Sequence, residues 1–216
     1  MIKGILFDFD GVIVDSEPVH HISFEETLRE FGITVSKERW FREFAGTGST
    51  NIMETLFEEN NIQEDVDKWV MKRRVNFWAS IREKEVPIKK GLLEFLDLLE
   101  EKGIRKIIAS GSTEQTIKII LKKIGIVDRF EAICGVESVK NKKPDPEVFL
   151  LGVEKLDLEK KECLIIEDSL NGVIAAKRAQ IQYVCMESPS NQGLKDCSIT
   201  IRDYREFPVK LLEDRE

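Results

Sequence analysis

From Pro87 onward the chain alternates short apolar runs with helical stripes, and that rhythm leaves few folds open to it. Leu92, Phe95, Leu96 and Leu99 form a stripe at helical spacing that Gly103 closes, and Lys106-Ile107-Ile108-Ala109 then reads as a buried strand. Ile117, Ile120, Leu121 and Ile124 mark the next helix, ended by Gly125. Ala132-Ile133-Cys134 is a short strand, and Pro146 to Leu156 a helix with proline in its first turn. Cys163 to Ile166, Asn171 to Ala179 and Tyr183-Val184-Cys185 repeat strand, helix and strand. Unbroken apolar runs belong to strands buried on both faces. The expected fold is therefore α/β, a doubly wound parallel sheet covered by helices.

The N-terminal part divides differently. Gly4 to Phe7 is one more apolar strand, but from about Pro18 to Arg82 only helical patterns occur: Phe24, Leu28 and Phe31, then Ile52 and Leu56, then Val66, Trp69, Val70 and Phe77. The simplest organisation joins residues 1–15 and 85–216 as a Rossmann-like α/β core and makes residues 16–84 an inserted all-helical cap domain over its catalytic end.

With 42% hydrophobic residues in 216, the chain can bury a sizeable core. Its net charge of -7 argues against nucleic acid or a membrane surface as partner, since both demand an extended basic face. Cys134, Cys163, Cys185 and Cys197 show no C-x-x-C spacing and read as reduced, mostly buried residues, without a zinc site or disulfide framework. No apolar run approaches membrane-spanning length, and no leader precedes the first strand. A cytoplasmic monomer acting on a small molecule is expected.

In open parallel sheets, ligands bind beyond the carboxyl ends of the strands. Three apolar strands here run into polar residues that suit one common chemistry. Phe7 leads into Asp8-Phe9-Asp10-Gly11, Ala109 into Ser110-Gly111-Ser112, and Ile166 into Glu167-Asp168. Side chains two apart on an extended chain point the same way, so Asp8 and Asp10 can face one substrate. Lys143, in Lys143-Pro144-Asp145-Pro146, precedes a helix, where ammonium and backbone amides together favour an anion. Each piece also has an ordinary structural use. Ser112 or Thr113 can cap the following helix, Glu167-Asp168-Ser169 can start one, and Lys143 can belong to a solvated group with Lys140 and Lys142.

As an ordered set, D-x-D-G-x-x-x-D-S-E, A-S-G-S, K-K-P-D-P-E-x-F and E-D-S-x-x-G-x-x-A-A-x-x-A resemble the four signatures of the haloacid dehalogenase superfamily, and the Asp-Gly-Val-Ile-Val-Asp-Ser-Glu stretch resembles its beta-phosphoglucomutase-like branch. The resemblance implies a phosphomonoester hydrolase in which Asp8 attacks phosphorus to form an aspartyl phosphate and Asp10 is general acid and base. It implies Mg2+ held by the Asp8 side chain, the Asp10 carbonyl and Asp168, with Glu167 a direct or water-mediated partner. Ser110 and the Gly111 amide would hold phosphoryl oxygens, and Lys143 would neutralise the phosphate. The implied substrate is a small phosphorylated metabolite, a sugar or polyol phosphate.

The cap is less explicit. Gly46-Thr47-Gly48-Ser49 lacks the lysine of a Walker loop and resembles the family's substrate-specificity turn, with Gly46 and Ser49 as candidate substrate contacts. In the sugar mutases of the family an arginine commonly follows that serine, whereas Thr50-Asn51 follows here, which points from mutase towards phosphatase. Lys72, Arg73 and Arg74 can supply such a contact or form a solvated face. His20 resembles a family histidine that couples proton transfer to cap closure; His20-His21 can equally be an exposed pair. A phospho-acceptor signalling domain uses similar residues, but with the acid pair and the acceptor on different strands and no helical insert after the first.

Overall fold

The computed structural model describes residues 1–45, 47–188 and 197–213. The chain forms two compact units, one of Met1–Asp15 with Pro87–Glu216 and the other of Ser16–Val86.

The first unit is built on a sheet of six strands in the order β3-β2-β1-β4-β5-β6, every neighbouring pair parallel. These are β1 (Gly4–Phe7), β2 (Arg105–Ala109), β3 (Ala132–Cys134), β4 (Cys163–Glu167), β5 (Gln182–Met186) and β6 (Thr200–Ile201). The order reverses at β1, which lies between β2 and β4, so the crevice at its carboxyl end is where a doubly wound sheet takes a ligand. Phe7 is in register with Ile108 on one side and Ile166 on the other. Asp8, Ala109 and Glu167 therefore leave the sheet at one level.

The crossovers in this unit carry α5 (Leu92–Glu101), α6 (Glu114–Lys123), α7 (Glu147–Leu156) and α8 (Leu170–Ala179). Leu6, Ile107 and Ile165 of the sheet pack with Phe149, Val153 and Leu156 of α7 and Ala175, Ala176 and Ala179 of α8. On the other side Phe7 meets Phe95 of α5 edge-on at 6.3 Å, with Phe130 and Tyr204 beside it. Each fully buried Leu, Ile or Phe contributes roughly 1.5–3 kcal/mol, so the strand ends are anchored by a continuous core on both faces. The expectation of a doubly wound sheet is met.

The second unit holds α1 (Glu17–Leu28), α2 (Lys37–Arg39), which runs on as a wider turn over Trp40–Phe44, α3 (Ser49–Glu59) and α4 (Val66–Glu83). Its own core gathers Phe24, Leu28, Trp40, Phe44, Met53, Leu56, Phe57 and Trp69. No strand occurs among its described residues.

Two features depart from expectation. Cys185 and Cys197 are not reduced thiols but form a disulfide, with Cα atoms 6.1 Å apart, which ties β5 to the segment entering β6. Cys134 and Cys163 are buried free thiols, in line with the sequence. The sixth strand, Thr200–Ile201, is too short to show a period and has no counterpart in the sequence reading. Among the described residues no helix is long and apolar enough to cross a membrane.

Candidate active site

The loop after β1 folds back on itself at once, with the Ile13 amide donating to Phe9 O at 2.8 Å and Gly11 to Val14 O at 2.7 Å. Gly11 makes this possible in two ways. Its φ of +76° is costly for other residues, and a Cβ there would lie 2.1 Å from Asp168 Oδ2. The glycine of the first motif is thus the space that the acid of the last motif occupies. Buried Val12, Ile13 and Val14 then anchor the loop from below, and the Tyr204 hydroxyl donates to Val12 O at 3.1 Å.

Asp8, Glu167 and Asp168 are buried together, and each offers an oxygen within 4.8 Å of the other two. Lys143 Nζ donates to Asp8 Oδ1 at 2.6 Å and to Glu167 Oε2 at 2.8 Å, and stands 4.6 Å from the centre of the Phe149 ring. Burial and the Glu167 carboxylate push Asp8 up to about 7, with Lys143 opposing. Burial followed by Glu167 and Asp8 holds Asp168 well above the usual carboxylate range. For Lys143, burial disfavours the charge, but Asp8 and Glu167 overcome it and hold the ammonium above an ordinary lysine. The ammonium bridges two of the three clustered acids, so acidic groups outnumber the cation that pairs with them.

That excess, carried by hard oxygen donors, fits a divalent cation such as Mg2+. Glu167 has other commitments. Its Oε1 accepts from the Ser169 amide at 2.9 Å and the Ser169 hydroxyl at 2.6 Å, and Ser169 caps α8 by accepting from Gly172 N at 3.1 Å. Gly172 is a glycine for the same reason as Gly11: a Cβ would lie 1.9 Å from Glu167 Cδ.

Of the other expected residues, Ser110 is buried, donates its amide to Cys134 O at 3.0 Å and accepts from Ser112 N at 3.1 Å. Gly111 is exposed, and a Cβ there would meet nothing within 4 Å. The Asp10 carboxylate stands outside the three-acid cluster and accepts a hydrogen bond from the Ser112 hydroxyl. The structure thus brings Asp8, Asp10, Ser110, Lys143, Glu167 and Asp168 to the strand ends of one unit. Sequence reasoning misses Tyr204, because a lone tyrosine in an irregular segment gives no periodic signal.

Within the helical unit a second polar cluster forms around Arg73. Its Nε donates to Ser23 Oγ at 2.9 Å and its Nη1 to Ser49 Oγ at 3.3 Å, while Nη2 meets His20 Nδ1. Phe24 and Phe77 each lie 4.9 Å from the guanidinium carbon. Arg73 is therefore buried, not part of a solvated face, whereas Lys72 pairs with Glu30 on the surface. His20 stacks on Phe77 at 4.5 Å, and burial, then the Arg73 charge, hold it well below the usual histidine range. His21 is buried with Nε2 2.5 Å from Val35 O, so the two histidines are not an exposed pair. Gly46 lies outside the described residues.

The profile of the Haloacid dehalogenase-like hydrolase family matches residues 5–186. YhcW of Bacillus subtilis is 32% identical over 216 residues, covering 99% of this chain and 97% of that protein. Hexitol phosphatase B of Escherichia coli K12 is 26% identical over 192 residues, covering 89% of this chain and 86% of its own. In fold, a crystal structure of beta-phosphoglucomutase from Clostridium difficile superposes with a TM-score of 0.78 at 24% identity, covering 98% of this chain and 96% of that one. With its motifs, sheet order and profile in agreement, the chain belongs to the haloacid dehalogenase-like hydrolases.

Proposed function

We propose that this chain is a Mg2+-dependent phosphatase that hydrolyses a small sugar or polyol phosphate through an aspartyl-phosphate intermediate. The observation that carries the reading is the Lys143 ammonium bridging Asp8 and Glu167 inside a buried cluster of three carboxylates. A phosphate monoester repels an anionic nucleophile, so a carboxylate attacks it only where fixed positive charge offsets the phosphoryl oxygens. Lys143 supplies part of that charge and aims Asp8 through a 2.6 Å hydrogen bond.

In this reading Asp8, the Asp10 carbonyl and Asp168 would hold Mg2+, with Glu167, whose oxygens also serve Lys143 and Ser169, a direct or water-mediated partner. When bound, the ion adds the remaining positive charge at the phosphoryl oxygens. Ser110 and the Gly111 amide hold those oxygens from the β2 side. Asp8 attacks phosphorus in line as Asp10 gives a proton to the leaving alkoxide; Asp10 then takes a proton from the water that releases phosphate. The hexitol phosphatase among the relatives supports the polyol phosphate class. His20 and Ser49 are retained as substrate-selecting residues, on the strength of the Arg73 cluster they share.

The same cluster favours a second reading. Arg73 brings a guanidinium to Ser49 from α4 although no arginine follows that serine in sequence, which revives a beta-phosphoglucomutase-type transfer. Phosphate release across sugar, polyol, nucleotide and short-chain acid phosphates, with and without Mg2+, tests the first reading; no release, or release independent of metal, refutes it. Supplying beta-glucose 1-phosphate with a trace of the 1,6-bisphosphate tests the second. Glucose 6-phosphate forming faster than free phosphate selects the mutase.

A further inference from the structure

Ser112 is a serine that neither the helix nor the phosphate requires. Thr113, not Ser112, caps α6, its Oγ1 accepting from Thr116 N at 3.2 Å. Ser112 is nonetheless held at both ends of its peptide unit: its amide donates to Ser110 Oγ at 3.1 Å, and its carbonyl accepts from Val136 N at 3.0 Å. The hydroxyl fixed in this way donates to Asp10 Oδ2, 102 residues away in sequence. The backbone of Asp10 is equally constrained by the turn from Phe9 to Val14. Ser112 therefore bears on the orientation of the Asp10 carboxyl group.

We infer that Ser112 is a positioning residue that sets the orientation of the Asp10 carboxyl group and thereby its alignment for proton transfer to the leaving oxygen. The hydrogen bond to Oδ2 restrains the plane of the carboxyl group. As Asp8 forms its bond to phosphorus, the bond from phosphorus to the ester oxygen breaks and its electron pair stays on that oxygen, which takes a proton from the Asp10 carboxyl group. In the second half, the attacking water returns a proton to the Asp10 carboxylate and the Asp8–phosphorus bond breaks, giving inorganic phosphate and free Asp8. Without the Ser112 hydroxyl, the carboxyl group loses this anchor and its alignment with the ester oxygen.

This inference rests on the phosphatase reading, and the leaving group separates the two. An alkoxide must be protonated as it departs, whereas a nitrophenolate departs without help. The full-length enzyme with Mg2+ is given a hexitol 6-phosphate or p-nitrophenyl phosphate, and the first-turnover rate of leaving-group release and KM are measured. Ser112→Ala should slow the hexitol ester about 10- to 100-fold, with KM within about 2-fold and p-nitrophenyl phosphate slowed less than about 3-fold. Ser112→Thr, which keeps the hydroxyl, should restore the hexitol rate to within about 3-fold of the unmodified enzyme. Equal slowing of both esters by Ser112→Ala, or no rescue by threonine, overturns the inference and leaves the phosphatase reading standing. An unmodified enzyme that releases phosphate from neither ester refutes both.

Discussion

Replacing Gly172 with alanine tests how tightly the site is built. In an exposed helix this change stabilises by about 1 kcal/mol. Here the new Cβ would lie 1.9 Å from Glu167 Cδ and 2.1 and 2.3 Å from its oxygens, where ordinary contact begins at 3.4 Å. The carboxylate must retreat by about 1.5 Å to relieve that overlap. A retreat of that size breaks the 2.8 Å bond to Lys143 and the 2.6 Å bond to the Ser169 hydroxyl. Separating a buried charge from its partner costs about 3–5 kcal/mol, so after the helix gain a net loss of about 2–4 kcal/mol is expected. Lys143 also loses one of its two carboxylate anchors, and misplacement by an ångström at a reacting centre costs about 100-fold in rate. Urea unfolding and kcat on the best substrate from the phosphate screen measure both effects. The decisive comparison is Gly172→Ala in a Glu167→Ala background, where the clashing atoms are gone and the substitution should be neutral or mildly stabilising. If Gly172→Ala alone leaves stability and kcat unchanged, the steric argument fails.

Asp8→Asn should abolish the acid-stable phosphoenzyme seen by mass spectrometry after quenching; phosphate still trapped at residue 8 would contradict its role as nucleophile. Mg2+ at about 100 times its Kd should stabilise the unmodified protein by roughly 2.7 kcal/mol, a rise in Tm that Asp168→Ala should lose. An undiminished shift in that variant would remove Asp168 from the ligand set. The disulfide closes a loop between residues 12 apart, for which chain entropy gives about 3 kcal/mol, so Cys197→Ser should lower stability by about that amount and make it insensitive to reductant. Four free thiols in unreduced, denatured protein would rule out the bridge.

Much of the α/β unit is legible in the sequence because its signals are local. An apolar run of four or five residues followed by acids or serines marks a strand with its functional end, and five of the six strands stand out as apolar runs. Tertiary neighbours decide the rest. Arg73 reads as one of three consecutive cations that supply a phosphate contact or form a solvated face, and only the Phe24 and Phe77 rings beside it, with Ser23 and Ser49 at its nitrogens, show why it is buried. The choice between Ser112 and Thr113 as helix cap depends on where α6 begins, a matter of one residue that periodicity does not resolve. Cys185 and Cys197 become partners only because β6 pairs alongside β5, and a two-residue strand leaves no trace in the pattern.

The space left by Gly11 and filled by Asp168 makes the two halves of the proposed active site each other's mould. On a ribosome the second half follows the first by about 160 residues, roughly ten to thirty seconds at ordinary elongation speeds. Until then the early acids have nothing to close against. On the proposed mechanism, a nascent or truncated polypeptide that stops short of β4 lacks Glu167 and Asp168 and should release no phosphate.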